Sequence, residues 1–152
     1  MKLENNNTQQ IISESIEQTF ETGKQIGQAL QGGMLVCLTG TLGSGKTTLI
    51  KGIAAGMNAA NPQHVNSPTF VIVNEYQGRL HIFHIDAYRI NSIKEFEALG
   101  FEDYIGPESI VLIEWADKVS QALDGFDKIT IEMRHHGPQS RIINITGLAD
   151  LK

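Results

Sequence analysis

The chain has 152 residues, a length typical of a single domain that buries a sizeable core. Its formal net charge is −5 and its 12 Lys and Arg residues are scattered, which argues against the chain itself being the main contact for nucleic acid. The single cysteine, Cys37, excludes an intramolecular disulfide, and the sequence shows neither a signal-peptide core nor a membrane-spanning run. We therefore expect a cytoplasmic protein that works through protein partners.

The first forty residues predict a tail, a helix and a strand. Residues 1–10 are polar and predict a disordered N-terminus, whereas residues 11–152 predict one domain. From Ser15 to Leu30 the apolar positions fall on one face of a helix, which ends at the glycines of residues 32–33. The apolar run from Met34 to Thr39 then predicts a buried strand.

Residues 40–47 read Gly-Thr-Leu-Gly-Ser-Gly-Lys-Thr and match the pattern G-x-x-x-x-G-K-[ST] of triphosphate-binding loops. The strand before the loop and the helical spacing of residues 47–57 after it supply the context that this pattern needs. The alternative is a glycine-rich turn that binds nothing. The candidate phosphate ligands are the Lys46 ammonium and the residues of the loop and the first helical turn: Thr41, Leu42, Gly43, Ser44, Gly45, Thr47 and Thr48.

The rest of the chain predicts more strands than helices. Residues 61–69 are rich in proline and asparagine and predict a functional loop, and residues 70–76 and 80–85 predict an antiparallel hairpin. A capping box at Ser92 starts a helix that ends at Leu99. Three more strands are predicted at residues 110–113, 128–133 and 141–146. The expected fold is α/β, a mixed sheet with central parallel strands and antiparallel hairpins, flanked by helices, as in P-loop NTPases.

Two carboxylates follow apolar strands and are candidates for the chemistry of a phosphoryl-transfer site. Asp86 ends the strand of residues 80–85, and Glu114 ends the strand of residues 110–113. Such positions suit a Mg²⁺ anchor and a group that orients water, although either residue alone could cap a turn. Thr69, at the end of the irregular loop, is either a switch threonine or an ordinary residue at the start of a strand.

Three nearby groups of side chains carry weaker signals. His84 shares a strand face with Asp86 and either positions that carboxylate or packs as a structural residue. Arg89 follows closely enough to reach phosphate, with an exposed ion pair as the alternative. The turn residues His135 and His136 lack the spacing of a metal site, so we expect them to be solvated.

Two features that are absent from the sequence narrow the choice of nucleotide. The sequence contains no Asn/Thr-Lys-x-Asp motif of the kind that reads guanine, which argues against a GTPase. Its four arginines are too few for the arginine-rich lid of small nucleotide kinases. ATP with Mg²⁺ is therefore the expected ligand.

These residues resemble one family, the bacterial TsaE (YjeE) ATPases that are required for threonylcarbamoyladenosine formation in tRNA. Five blocks carry the resemblance, in order and at similar spacing, over nearly the whole chain: residues 40–48, 66–70, 83–89, 97–104 and 111–115. The departures are mild and touch no chemistry, since Phe70 stands where tyrosine is common and Ala87 where leucine is common.

The resemblance implies an ATP hydrolase that is weak alone and stimulated by a complex of TsaD and TsaB. By hydrolysing ATP it would sustain threonylcarbamoyl transfer to the adenosine beside the tRNA anticodon, with tRNA contacted only through the partners. We expect the free chain to be a monomer. An ATP-binding switch without turnover and a small-molecule kinase stay open as alternatives.

The resemblance also implies roles for individual residues. Lys46 and the loop amides would hold the phosphates, with Asp86 as the catalytic carboxylate and Thr69 in a switch loop. The remaining implied contacts are Thr47 and Glu114 to Mg²⁺, Trp115 beside the nucleotide, and the segment ending at Thr19 against the adenine.

Overall fold

A computed structural model of the chain describes residues 7–41, 43–60 and 73–151. Its framework is a mixed seven-stranded sheet with the strand order β1-β7-β6-β2-β5-β4-β3. The strands are β1 (Thr8–Ser13), β2 (Leu35–Gly40), β3 (Val73–Gln77), β4 (His81–Asp86), β5 (Ser109–Glu114), β6 (Ile129–His135) and β7 (Arg141–Thr146).

The centre of the sheet is parallel and its flanks are antiparallel. Strand β2 pairs in parallel with β5 and β6, and β5 pairs in parallel with β4. The pairs β1–β7, β6–β7 and β3–β4 are antiparallel. This arrangement confirms the predicted mixed α/β fold. Because parallel strands end at the same edge, Gly40, Asp86 and Glu114 lie together at the carboxyl edge of the sheet.

Helices cover both faces of the sheet. They are α1 (Ile16–Ala29), α2 (Lys46–Gly56), α3 (Ile93–Glu97) and α4 (Ser120–Leu123), and 3₁₀ turns occupy Ala87–Arg89, Phe101–Tyr104 and Ala116–Val119. The side chain of Ser15 caps α1 by accepting from the Gln18 amide, and Ser92 caps α3 by accepting from the Glu95 amide. None of the described helices is long and apolar enough to cross a membrane.

The alternation of side chains along β2 divides the core in two. Val36 and Leu38 face a cluster formed with α1 and α2, whereas Leu35 and Cys37 face a cluster formed with α3, α4 and the 3₁₀ turns. A central strand buried on both faces must be apolar throughout, which explains the continuous apolar run in the sequence. Burial also raises the pKa of the Cys37 thiol to about 12, so this thiol stays protonated at neutral pH.

Helices α1 and α2 touch through their backbones along a glycine seam, formed by Gly23 and Gly27 of α1 and Gly52 and Gly56 of α2. A Cβ atom built on Gly23 would lie 3.0 Å from Gly52 Cα, and one on Gly27 would lie 3.1 Å from Gly56 Cα. No larger residue fits these positions without separating the helices. The seam therefore fixes α1 against the helix that follows the glycine loop.

The expected disorder of residues 1–10 is wrong for the part that the structure describes. Strand β1 begins at Thr8 and pairs with β7 over its whole length. The Gln9 amide also donates to the carbonyls of Leu148 and Ala149, and Ile11 packs against the core. Backbone pairing can hold a polar strand that hydrophobic periodicity does not detect.

The other predicted elements are present with small shifts at their ends, apart from those that lie outside the described residues. The predicted helix ending at Leu99 stops at Glu97, and the strand predicted for residues 110–113 extends to Ser109 and Glu114. The predicted loop of residues 61–69 and the start of the following strand, residues 70–72, lie outside the described residues.

Candidate functional site

A cleft of about 500 Å³ opens at the carboxyl edge of the parallel strands. Its walls come from the start of α1, the loop before α2, the ends of β4 and β5, and the β6–β7 hairpin. The lining residues are Ile16, Thr19, Gly43, Gly45, Lys46, Thr47, Thr48, Asp86, Tyr88, Arg89, Glu114, Trp115, Gln139 and Arg141.

Residues 40–47, the glycine loop, connect β2 to α2; Leu42 is the one loop residue outside the described part. Gly43 and Gly45 take positive φ angles of 78° and 98°, which side chains disfavour. Gly45 is the N-cap of α2 and no side chain caps this helix. The first amides of α2 have no intrahelical acceptors, and the positive end of the helix dipole lies at the same point. The loop therefore offers the donors of an anion site.

Ser44 adds an independent sign that the loop suits a polar ligand. Among the described residues, its Oγ is the buried side-chain polar atom without a hydrogen-bond partner. Gly40 leaves space for this hydroxyl, because a Cβ atom at residue 40 would lie 2.7 Å from Ser44 Oγ. An unsatisfied buried hydroxyl costs about 1–3 kcal/mol, and a polar ligand in the loop would offset that cost.

Lys46, the first residue of α2, directs its ammonium toward the loop and the carboxylates. Its Nζ donates to the carbonyls of Gly40 at 2.6 Å and Thr41 at 3.0 Å, and it lies 4.0 Å from the centre of the Trp115 ring. Burial lowers the pKa of Lys46, while the charges of Glu114, Asp117 and Asp86 partly oppose that shift. The cleft thus holds a desolvated cation next to a ring face.

Glu114 is held by a buried chain of side chains. Its Oε1 lies 2.7 Å from His84 Nε2, and His84 Nδ1 lies 3.1 Å from the Tyr76 hydroxyl. His84 and Glu114 are both buried, at 0% and 3% side-chain exposure. The sequence left open whether His84 positions Asp86 or packs as a structural residue, and the structure shows that its ring bonds to Glu114 and Tyr76. The alternation of side chains along β4 places His84 on the same face of the sheet as Asp86, as predicted, but His84 bonds to Glu114 on the neighbouring strand β5.

Asp86 stands beside Glu114 in a different environment. The two residues are register partners on the parallel strands β4 and β5. The Asp86 carboxylate accepts a hydrogen bond from the Tyr88 amide at 3.0 Å and caps the 3₁₀ turn of residues 87–89. Burial raises the pKa of Asp86, and the charge of Glu114 adds to this effect, although the Tyr88 amide opposes it. The Asp86 carboxylate is thus more basic than the carboxylate of an ordinary aspartate.

Trp115 adopts a left-handed backbone conformation with φ of 59°, directly after β5. For a residue with a Cβ atom this conformation costs about 1–2 kcal/mol. It places the ring against the Lys46 ammonium and 4.9 Å from the Tyr88 ring. The strained turn therefore makes Trp115 a wall of the cleft.

The structure brings most of the predicted site residues to this cleft. They are Thr19, Gly43, Gly45, Lys46, Thr47, Thr48, Asp86, Glu114 and Trp115, together with Arg89. Thr41 and Ser44 belong to the loop but do not line the cleft, and His135 and His136 are exposed as expected. Leu42 and Thr69 lie outside the described residues, so their roles stay predictions.

No sequence signal pointed to Gln139 and Arg141, which also line the cleft. Arg141 donates to the carbonyls of Gly43 and Ser44 in the glycine loop. A lone arginine after a turn has no spacing signal that relates it to a loop almost a hundred residues earlier. Only the antiparallel pairing of β6 with β7, beside β2, brings the two segments together.

Comparison with known proteins relates the whole arrangement to one family. The family model described as threonylcarbamoyl adenosine biosynthesis protein TsaE matches residues 13–143. The TsaE protein of Aquifex aeolicus is 41% identical over 112 residues, covering 72% of this chain and 77% of the relative. The TsaE protein of Treponema pallidum is 32% identical over 134 residues, covering 88% and 97%.

A solved structure agrees with these sequence matches. The crystal structure of YdiB from Bacillus subtilis superimposes with a TM-score of 0.71 at 26% identity, covering 95% of this chain and 88% of that one. The likeness extends over nearly all of both chains, so it includes the sheet and the elements that form the cleft. Together with the family model, it leads to one conclusion: the chain belongs to the TsaE family.

Proposed function

We propose that this chain is a cytoplasmic ATPase that binds ATP with Mg²⁺ in the cleft and hydrolyses it in support of tRNA threonylcarbamoyladenosine biosynthesis. The observation that carries the proposal is the juxtaposition of the Lys46 ammonium with two carboxylates at the ends of adjacent parallel strands. The charges of Asp86 and Glu114 both raise the pKa of Lys46 against the effect of burial, and all three side chains line the same cleft. Phosphoryl transfer requires this combination of cation, metal ligand and water-orienting group.

The residues of the loop fit a triphosphate. The uncapped start of α2 supplies amide donors, and the unpartnered Ser44 hydroxyl lies within the same loop. The Lys46 ammonium bonds to two loop carbonyls, and phosphate oxygens would be stronger acceptors because they are charged. Phosphate would therefore draw Lys46 away from Gly40 and Thr41.

The donor set also fits Mg²⁺ rather than a cation that needs a full protein cage. The described residues contain no cluster of three or more His, Cys, Asp or Glu side chains suited to a metal. Mg²⁺ bound with a nucleotide needs only one or two protein ligands, since phosphates and water complete its shell. Thr47 and Glu114, both in the cleft, would hold it. The bound cation would neutralise phosphate charge during the transfer.

The two carboxylates have different roles in this proposal. His84 donates to Glu114 and fixes its orientation, as expected for a carboxylate that holds a cation. Asp86 has a raised pKa and is therefore a better proton acceptor, which suits the group that orients the attacking water. Lys46 would stabilise the negative charge that develops on the phosphate oxygens, with the Trp115 ring 4.0 Å from its ammonium.

The wider role follows from membership of the TsaE family, whose model is described by threonylcarbamoyl adenosine biosynthesis. In the proposed reaction a TsaD and TsaB complex transfers the threonylcarbamoyl group, and this chain supplies ATP hydrolysis to the complex. The net charge of −5 supports contact with tRNA only through those partners.

The test is to measure ATP binding by calorimetry and phosphate release by the purified chain, with and without a reconstituted TsaD–TsaB complex. We expect Mg²⁺-dependent binding of ATP in preference to GTP, and slow turnover that the complex increases. Binding without turnover in both conditions would identify a nucleotide switch, and turnover that needs a small-molecule acceptor would identify a kinase. Absence of nucleotide binding would refute the proposal.

A further inference from the structure

Arg141, the first residue of β7, ties the β6–β7 hairpin to the glycine loop. Within the described part of the chain, its guanidinium donates four hydrogen bonds, and these go to backbone carbonyls. Nε reaches Ser44 O at 2.9 Å and Nη2 reaches Gly43 O at 3.3 Å. Nη1 reaches Ser140 O at 2.8 Å and Gly137 O at 3.2 Å in the hairpin turn. One side chain therefore links two segments that are far apart in sequence.

These bonds fix the orientation of a peptide unit in the loop. In a planar trans peptide the carbonyl and the following N–H point in opposite directions. When Arg141 holds the Ser44 carbonyl, the amide of Gly45 must face away from the guanidinium. Gly45 is the N-cap of α2, so its amide belongs to the set of donors at the start of this helix. The arginine thereby orients a donor that it does not itself touch.

The same bonds act on the electrostatics of the loop. Carbonyl oxygens carry partial negative charge and would repel an anion if they turned toward it. Arg141 keeps the carbonyls of Gly43 and Ser44 engaged. Glycine-rich segments lose the most conformational freedom on ordering, and a tether to a paired strand removes part of that cost before a ligand arrives. The bidentate geometry is specific to a guanidinium, since an ammonium has no planar fork.

We propose that Arg141 is a positioning residue that preorganises the glycine loop for phosphate, with the β6–β7 hairpin as its rigid support. This inference rests on the proposed function, because it assigns Arg141 to the phosphate end of the same site. It differs from a simple charge effect: the position requires the fork of the guanidinium and not only a positive charge.

The experiment compares Arg141→Lys and Arg141→Gln with the wild-type protein and with Arg134→Gln. Arg134 is the matched control, since it lies on the same hairpin and is exposed in a 3.5 Å pair with Glu132. Calorimetry with a non-hydrolysable ATP analogue and with inorganic tripolyphosphate, both with Mg²⁺, measures affinity. Hydrogen exchange of residues 43–48 in the ligand-free proteins measures the order of the loop.

Both Arg141 variants should lose about ten- to hundredfold in affinity for both ligands, the effect of one or two hydrogen bonds from a charged donor. Exchange at residues 43–48 should be faster in both, and Arg134→Gln should match the wild type. Wild-type affinity in Arg141→Lys would overturn the inference in favour of charge alone, and a loss confined to the nucleotide would assign Arg141 to the nucleoside. A wild-type protein that binds neither ligand would instead refute the proposed function.

Discussion

Replacing His84 by leucine should destabilise the protein far more than the same change at His81. Both histidines lie on β4 and both pair with a glutamate, so they form a matched comparison. The pair of His84 with Glu114 is buried, at 0% and 3% side-chain exposure, whereas the pair of His81 with Glu75 is 34% and 60% exposed. Leucine is apolar and cannot donate to either carboxylate.

The expected magnitude follows from burial. Removing one partner of a buried hydrogen bond costs about 1–3 kcal/mol. We therefore expect His84→Leu to lower the free energy of unfolding by about 3 kcal/mol, the upper end of this range, because the change removes a hydrogen-bond partner of both Glu114 and Tyr76. An exposed pair contributes about 0–1 kcal/mol, which sets the expectation for His81→Leu. In a domain of this size the His84 change corresponds to a fall of roughly 6–12 °C in Tm.

The assay is urea unfolding at pH 7 without nucleotide, on the two leucine variants, His84→Gln and the double variant His84→Leu with Glu114→Gln. A glutamine at residue 84 retains an amide donor and should recover part of the loss. The double variant should be more stable than the sum of the single changes predicts, because the neutral amide at residue 114 does not leave a charge buried. Equal losses in His84→Leu and His81→Leu, or additive behaviour of the double variant, would refute the reasoning.

Three further predictions concern the cleft and its supports. Lys46→Ala should lower ATP affinity by about ten- to hundredfold in calorimetry and abolish hydrolysis, and unchanged binding would contradict its phosphate role. Asp86→Asn should keep nucleotide binding but lose turnover. As the pH rises from 3.8 through the raised pKa of Asp86, urea unfolding should show that the Asp86→Asn variant becomes more stable than the wild type. Below this pH range the two proteins should have similar stability. Gly52→Ala would place a Cβ atom 3.0 Å from Gly23 Cα and should cost at least about 1–3 kcal/mol in the same assay. Gly137→Ala, whose Cβ atom would meet its nearest neighbour at 3.5 Å, should cost less.

The sequence predicted the elements whose signals are local. Strands β2 and β5 are buried on both faces, so their apolar runs identify them, and the glycine pattern locates the loop between β2 and α2. Strand β1 escaped prediction because backbone pairing with β7 holds it, and Thr8 and Gln10 are exposed. A local sequence pattern indicates which side chains are buried, but it does not reveal that β1 pairs with a strand 138 residues away.

The sequence predicted where the site residues lie along each strand, but it did not predict their contacts across neighbouring strands. Asp86 and Glu114 follow from their positions at strand ends, and the strand order brings them together. The partner of His84 depends on which strand lies beside β4, and the role of Arg141 depends on the place of β7 in the sheet. Neither fact is encoded in spacing, because both arise from the order in which distant segments pair.

The glycine seam has a consequence for how the cleft responds to a ligand. Two helices in backbone contact have no side chains between them that could change rotamer, so they cannot slide without losing the contact. Helix α1 carries Ile16 and Thr19, and α2 begins at Lys46, so the seam couples these two parts of the cleft lining to each other. In the part of the chain that the structure describes, we therefore expect any closure around the proposed nucleotide at Tyr88, Arg89 and Trp115, which lie in or beside short turns instead of long helices.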